Sequence, residues 1–241
     1  MRVIALHHSK GGVGKTAAAV NLAYQAARDG ARVLLWDLDA QGAASFYLGI
    51  DAPGQGKTRK LVKGDLEARI VATDHPGLDL LPAEFGYRHL DRLLDADKKP
   101  ERHLRKRLKP LRDDYDLAFL DCPPSLSRVS ESVFHAADLL LTPVIPTTLS
   151  LRTLEQLAAV VAGHPPALRP FLSMLDRRRR LQRDLQQQLQ ADWPGMLATA
   201  VPYASEVERM GMARAPVAVF APRSRAARAF AELWRELQPQ L

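Results

Sequence analysis

The segment Ser9-Lys10-Gly11-Gly12-Val13-Gly14-Lys15-Thr16 holds the residue types needed to grip a chain of phosphates. Gly11, Gly12 and Gly14 allow a tight turn whose backbone N–H groups converge on phosphate oxygens. Lys15 supplies a cation for the β- and γ-phosphates, and the Thr16 hydroxyl is a ligand for Mg²⁺. The strict pattern G-x-x-x-x-G-K-[ST] is missed by one residue, because Ser9 stands at the first glycine position. In exchange the loop gains a second lysine, Lys10. A solvated glycine turn with exposed lysines has a similar composition. The context argues against it, since an apolar run leads in and a helical pattern opens at Thr16, where the helix N-terminus adds partial positive charge.

Acidic residues stand where such a loop needs them. Asp121 closes the apolar run Leu117-Ala118-Phe119-Leu120, and a carboxylate at that end of a strand holds Mg²⁺ through water. Taken alone, an Asp in this position also serves as a helix cap. Asp37 and Asp39 end another apolar run, and their spacing of two puts them on the same side of a strand. One of them can orient an attacking water; capping or loop chemistry is the alternative. His7 and His8 close the first strand and read as structural, although they stand next to the pocket.

Positioning these groups takes a sheet with helices between its strands. Strands are expected at Val3–His7, Arg32–Asp37, Leu78–Leu81, Leu117–Asp121, Leu139–Ile145, Pro170–Leu175 and Leu197–Val201. Helices are expected at Thr16–Arg28, Asp65–Ala72, Tyr87–Leu94, Glu101–Leu111, Arg128–Ala137, Leu151–Val161, Leu181–Asp192, Ser205–Met212 and Ser224–Leu237. The strand runs are continuously apolar rather than alternating, which is the pattern of strands buried on both faces. The expectation is an α/β fold: a single phosphate-loop domain over residues 1–241, with a mostly parallel twisted sheet and helices on both faces. Asp51–Gly64, rich in Gly, Lys and Pro, reads as a surface loop.

Composition narrows the class further. Hydrophobic residues make up 46% of the 241, too many for a disordered chain, and one cysteine excludes a disulfide scaffold. No run approaches the roughly 18 apolar residues of a membrane span, and the N-terminus lacks a secretory pattern, so a cytoplasmic location is expected. Thirty-four Lys and Arg against 27 Asp and Glu leave a net charge of +7, which favours a polyanionic partner.

The motif set resembles the ParA/MinD family of deviant Walker-type ATPases. The likeness is carried by Lys10-Gly11-Gly12-Val13-Gly14-Lys15-Thr16, Asp37-Leu38-Asp39-Ala40-Gln41-Gly42 and Asp121-Cys122-Pro123-Pro124. Thr142-Pro143-Val144, Ser150-Leu151-Arg152-Thr153-Leu154-Glu155-Gln156-Leu157 and Val201-Pro202 extend it over nearly the whole chain and point to the ParA branch. The resemblance implies an ATP-driven homodimer with two nucleotides sandwiched between subunits. Lys10 would reach the partner's phosphates, as an arginine finger does in trans. Lys10, Lys15 and Asp39 are then the catalytic set, with Asp39 positioning the hydrolytic water, and Gly12 stays small so that the two loops can approach. Lys10, Gly11, Gly12, Val13, Gly14, Lys15, Thr16 and Ala17 would hold ATP, with Met174, Asp176, Pro202 and Tyr203 near the adenine. Thr16, Asp37 and Asp121 would hold Mg²⁺. Hydrolysis is expected to be slow until an activating adaptor, ParB-like or cargo-linked, stimulates it.

Choosing a branch rests on what surrounds these motifs. Cys122 alone cannot supply the paired thiolates of an iron–sulfur relative, and the five tyrosines are scattered rather than gathered in a tail. The apolar stripe of Ser224–Leu237 reads as a core-packing helix, not a membrane anchor. Three basic clusters favour DNA: Lys98–Arg112, Arg177-Arg178-Arg179-Arg180, and a C-terminal group with Arg209, Arg214, Arg223, Arg225 and Arg228. The leading expectation is a nucleoid-associated ATPase that binds double-stranded DNA nonspecifically and segregates or positions a chromosome, plasmid or protein cargo. The alternatives are a MinD-like or secretion-associated positioning ATPase without DNA binding, and an ATP-dependent ligase or amidotransferase subunit.

Overall fold

The computed structural model describes residues 1–51, 66–84, 87, 90–94, 98–162, 166–193 and 195–241. The loop expected at Asp51–Gly64 lies, beyond Asp51, outside them. Eight strands among the described residues form one sheet: β1 (Arg2–Leu6), β2 (Val33–Asp37), β3 (Val71–Ala72), β4 (Leu78–Leu81), β5 (Leu117–Asp121), β6 (Leu139–Val144), β7 (Ala167–Leu175) and β8 (Ala200–Pro202). Their order is β3-β4-β2-β5-β1-β6-β7-β8, and every pairing is parallel except β3 with β4. Helices are α1 (Lys15–Arg28), α2 (Ala43–Tyr47), α3 (Leu90–Leu94), α4 (His103–Leu108), α5 (Arg128–Ala136), α6 (Thr148–Val161), α7 (Arg180–Asp192), α8 (Ser205–Glu208), α9 (Met210–Ala213), α10 (Val217–Phe220) and α11 (Arg225–Leu237).

The continuous apolar runs follow from burial on both faces. Along β1, Ile4 and Leu6 join α1 and α11 on one side, while Val3 and Ala5 join α3, α4 and α5 on the other. Period-two alternation thus divides the central strands between two apolar cores, with Thr142 of β6 and Ser173 of β7 among the polar residues they bury. A smaller cluster of Val144, Leu154, Leu172 and Leu189 seats α6 and α7.

Several elements differ from expectation. The helix expected at Asp65–Ala72 is a 3₁₀ turn at Glu67–Arg69, followed by β3 antiparallel to β4. The extended pair Ile70-Val71 has stiff β-branched side chains that suit a strand better than a helix. The helix expected at Glu101–Leu111 is α4 flanked by 3₁₀ turns at Pro100–Arg102 and Pro110–Arg112, because Pro110 cannot donate the helical hydrogen bond. β8 begins at Ala200 rather than Leu197, since the Ala198 and Thr199 amides donate instead to the Glu236 carboxylate, at 2.6 and 2.9 Å. The helix at Ser205–Met212 is split into α8 and α9 at Arg209, while α2 and α10 were not expected.

Helix α11 settles the role of its apolar stripe. Ser224 caps its start by accepting from the Ala227 amide at 3.1 Å. Ala226, Ala227, Phe230, Leu233, Trp234 and Leu237 are buried in the α1-side core. The Trp234 indole donates to Asp29 at the end of α1, at 2.8 Å. No helix among the described residues is long and apolar enough to cross a membrane. Leu233 has no exposed surface, so Leu233→Ala should cost about 2–5 kcal/mol. Arg235→Ala, on the exposed side, should stay within about 0.5 kcal/mol in the same urea titration.

Candidate nucleotide-binding site

The phosphate loop, Asp37 and Asp121 meet at the carboxyl ends of β1, β2 and β5, where open α/β sheets place their ligands. Parallel pairing sets Asp121 level with both Leu6 of β1 and Asp37 of β2. The loop leaves β1 and enters α1 through Gly14, whose φ of 95° is left-handed. A side chain there would also place its Cβ 2.8 Å from the Ser173 hydroxyl of β7. Glycine is required at that point twice over, for backbone conformation and for space. Gly12 also has a positive φ, 72°, but a Cβ would meet nothing. Within one subunit, its constraint is the backbone rather than crowding.

Lys15 is 6% exposed and donates from Nζ to the Lys10 carbonyl at 3.1 Å. Burial lowers its pKa, while the carboxylates of Asp121 and Asp39 work in the other direction. Asp37 accepts from both the Ser45 amide and the Ser45 hydroxyl at 2.8 Å, and from the Asp39 amide at 3.3 Å. Burial nonetheless pushes it up to about 6, against the help of those donors. Asp121 is completely buried and also raised, first by desolvation and then by the neighbouring Asp37 charge, with the Thr16 hydroxyl favouring its charged form. Both its carboxylate oxygens lack a partner at hydrogen-bond geometry. Buried polar atoms left in this way call for an explanation.

A divalent cation fits this donor set. Two inward carboxylates and one hydroxyl are hard oxygen ligands, and Mg²⁺ takes few protein ligands alongside water and phosphate. Among the described residues, no cluster of three or more His, Cys, Asp or Glu is arranged to hold a metal without other ligands. Asp39 is half-buried at the rim and accepts from the Gln41 amide at 3.0 Å.

The expected base contacts divide. Met174, Pro202 and Tyr203 line one apolar recess together with Gly14, Ala17 and Glu208. Met174 lies at a register shift of β7, with a φ of 54° that is rare outside glycine. Tyr203 donates to Glu208 at 2.8 Å. Asp176 sits outside this recess, where Arg178 at 2.9 Å holds its carboxyl down at about 2. Sequence reasoning missed Ser45, Glu208 and Gln182, which accepts the Asp176 amide at 2.7 Å. None stands in a motif, and each is defined by a fold contact.

Of the arginines, Arg177, Arg178, Arg225 and Arg228 border one cleft of about 390 Å³, between the loop after β7 and α11. Arg179 and Arg180 pair with Asp176 and Asp184 at 3.7 and 3.8 Å. Arg223 is exposed just before α11. Arg214 does not join them: it pairs with Asp51 at 2.6 Å and lies over the Phe46 ring at 5.0 Å.

The raised carboxyls dictate a pH dependence. A carboxyl with a folded pKa above its unfolded value contributes stability that is complete below about pH 4 and lost as pH rises through the folded value. Asp121→Asn removes one of two facing charges. In nucleotide-free protein it should raise the thermal midpoint at pH 7.5 but not at pH 3.5, and it should abolish hydrolysis. An unchanged midpoint at pH 7.5 would refute the repulsion.

A family profile described as "AAA domain" matches residues 1–174. The chromosome-partitioning ATPase Soj of Thermus thermophilus is 34% identical over 255 residues, covering 100% of this chain and 97% of that protein. The chromosome partitioning protein ParA of Caulobacter vibrioides is 31% identical over 253 residues, with 98% and 94% covered. Among solved structures, cobyrinic acid a,c-diamide synthase from Mycobacterium smegmatis, with bound ADP and magnesium, superposes with a TM-score of 0.82 at 27% identity, covering 100% of this chain and 95% of that one. With the phosphate loop, the paired carboxylates and the sheet order all in place, the chain belongs to the ParA/MinD family of P-loop ATPases.

Proposed function

We propose that residues 1–241 act as one ParA-like ATPase domain that binds Mg²⁺ and ATP, closes as a homodimer and, in that state, binds duplex DNA without sequence preference. Hydrolysis stimulated by an adaptor then resets the cycle, which segregates or positions a cargo at the nucleoid within the cytoplasm. The observation that carries the nucleotide half is the buried Asp121, with two unpartnered oxygens beside Thr16, Asp37 and Lys15.

Each residue has a chemical task in this reading. The loop amides and Lys15 hold the phosphates, and Lys15 neutralises charge that builds on the γ-phosphoryl group. Thr16, Asp121 and Asp37 hold Mg²⁺, which supplies further neutralisation when bound. Asp39 orients a water for attack on the γ-phosphorus, breaking the bond to the β–γ bridging oxygen and leaving ADP and phosphate. Lys10 completes the partner subunit's site. Slow turnover follows from a water held by one half-exposed carboxylate until an adaptor orders the rim.

The DNA half is supported by the cleft at which Arg177 and Arg178 meet Arg225 and Arg228, about fifty residues apart in sequence. Asp176, paired with Arg178, and Glu232 also line this cleft, but the four arginines outnumber these two carboxylates, an excess that suits a phosphate backbone. The ParA and Soj relatives, named for chromosome partitioning, agree with this.

Asp39→Ala should trap the ATP dimer and bind random-sequence duplex with ATP but not with ADP. Against log salt, its log affinity should fall with a slope of about −7, eight phosphates for the two subunits at roughly −0.9 each. Arg225→Ala with Arg228→Ala should flatten that slope by about 4. Binding that is absent, or equal in the two nucleotides, refutes the DNA half and leaves the ATPase. Lys15→Ala should lose ATP affinity, whereas Lys10→Ala should bind ATP as a monomer and fail to dimerise in light scattering.

A further inference from the structure

Two histidines stand between β1 and the phosphate loop, both essentially without solvent exposure. They face different tasks. His7 reaches the loop after β5, with Nε2 donating to the Ser125 carbonyl at 2.9 Å and its ring edge-on to Phe134. His8 turns to its own loop, where the Lys10 backbone N–H donates to His8 Nδ1 at 3.0 Å. A backbone amide can only donate, so Nδ1 carries the lone pair and the proton sits on Nε2. The contact is the imidazole counterpart of the turns in which Asn or Asp accepts from the amide two residues on. Burial and the nearby charges of Lys15, His7 and Lys10 lower the pKa of His8 to about 4, which keeps it in the neutral, accepting form.

The Lys10 peptide group is therefore gripped on both sides. His8 takes its N–H, and the Lys15 ammonium takes its carbonyl at 3.1 Å. These grips differ in permanence. Lys15 is the loop's phosphate cation, so its bond to Lys10 competes with the nucleotide. The imidazole of His8 is buried, uncharged and two residues from its target, and its Nδ1 accepts from the Lys10 amide, while its Nε2 has no hydrogen-bond partner.

We propose that His8 is a positioning residue: its Nδ1 fixes the Lys10 backbone so that the Lys10 ammonium keeps its aim toward the partner subunit once Lys15 turns to the phosphates. The proposal rests on the ATP-dimer reading for its consequence, and on the hydrogen bond alone for its mechanism. In this role His8 acts through Lys10.

Replacement by the two amides separates the ring nitrogens. In His8→Asn the side-chain oxygen takes the place of Nδ1 and still accepts from Lys10. In His8→Gln the polar group moves to the place of Nε2 and the Lys10 amide is left without its acceptor. Two readouts on the full-length chain apply: hydrogen exchange of the Lys10 amide in ¹⁵N-lysine-labelled protein, and the ATP-dependent dimer constant. The Asn variant should match wild type within about twofold in both, while the Gln variant should exchange and dissociate about tenfold more readily, the scale of one unsatisfied buried amide. ATP affinity of the monomer should stay within about threefold in each.

Asn and Gln variants that fail alike, or a Gln variant with wild-type exchange, would overturn the proposal. If the Gln variant does not fold, loss of Lys10 protection in the Asn variant overturns it by itself. A wild type whose Lys10 amide is protected but which never dimerises with ATP would instead overturn the ATP-switch reading, and with it the aim assigned to Lys10.

Discussion

Two carboxylates facing each other at the dry end of a parallel sheet set the terms for the rest of this molecule. Asp37 and Asp121 are level across the β2–β5 pairing, and Asp121 has no solvent-exposed surface. Removing an ion from water costs several kcal/mol unless an opposite charge and hydrogen bonds compensate. The surroundings offer only part of that: one buried lysine, a serine committed to Asp37, and a threonine beside Asp121. The site thus holds an excess of negative charge. A divalent cation with a phosphate chain restores the balance, so ligand affinity and strain in the bare protein are one quantity seen from two sides.

Backbone geometry transmits that site outward. Gly14 brings the phosphate loop so near Ser173 of β7 that no Cβ fits between them. The next residue, Met174, has a left-handed conformation costing roughly 1–2 kcal/mol at the place where β7 changes register toward β8. The recess beyond it opens toward Tyr203 and then toward the arginine cleft. The recess at Met174 and the arginine cleft are consequently linked by β7, with its register shift between them.

The sheet's interior was legible because β2, β4 and β5 are buried on one or both faces, and their apolar runs end within a residue of the observed bounds. Chemistry placed at the ends of those runs, Asp37, Asp121 and the lysine-led loop, was legible for the same reason. Where exposure is high, the signal fades. Val71 and Ala72 are both exposed, carry no two-faced pattern and were read as helix. Ser45 lies eight residues from the carboxylate it holds, inside a five-residue helix too short for periodicity to register. His8 was read as structural, and its contact with Lys10 depends on a ring orientation that residue type alone does not specify.

The margins of the sheet have a bearing on how copies of this chain can meet. One edge strand has two residues and the other three. Ahead of the latter, Glu236 occupies the Ala198 and Thr199 amides that a docking strand would seek. Exposed ladders invite sheet-to-sheet growth and fibril formation, and short, blocked edges suppress both. The brevity of the outermost strands leaves little ladder for a second copy of the chain to extend.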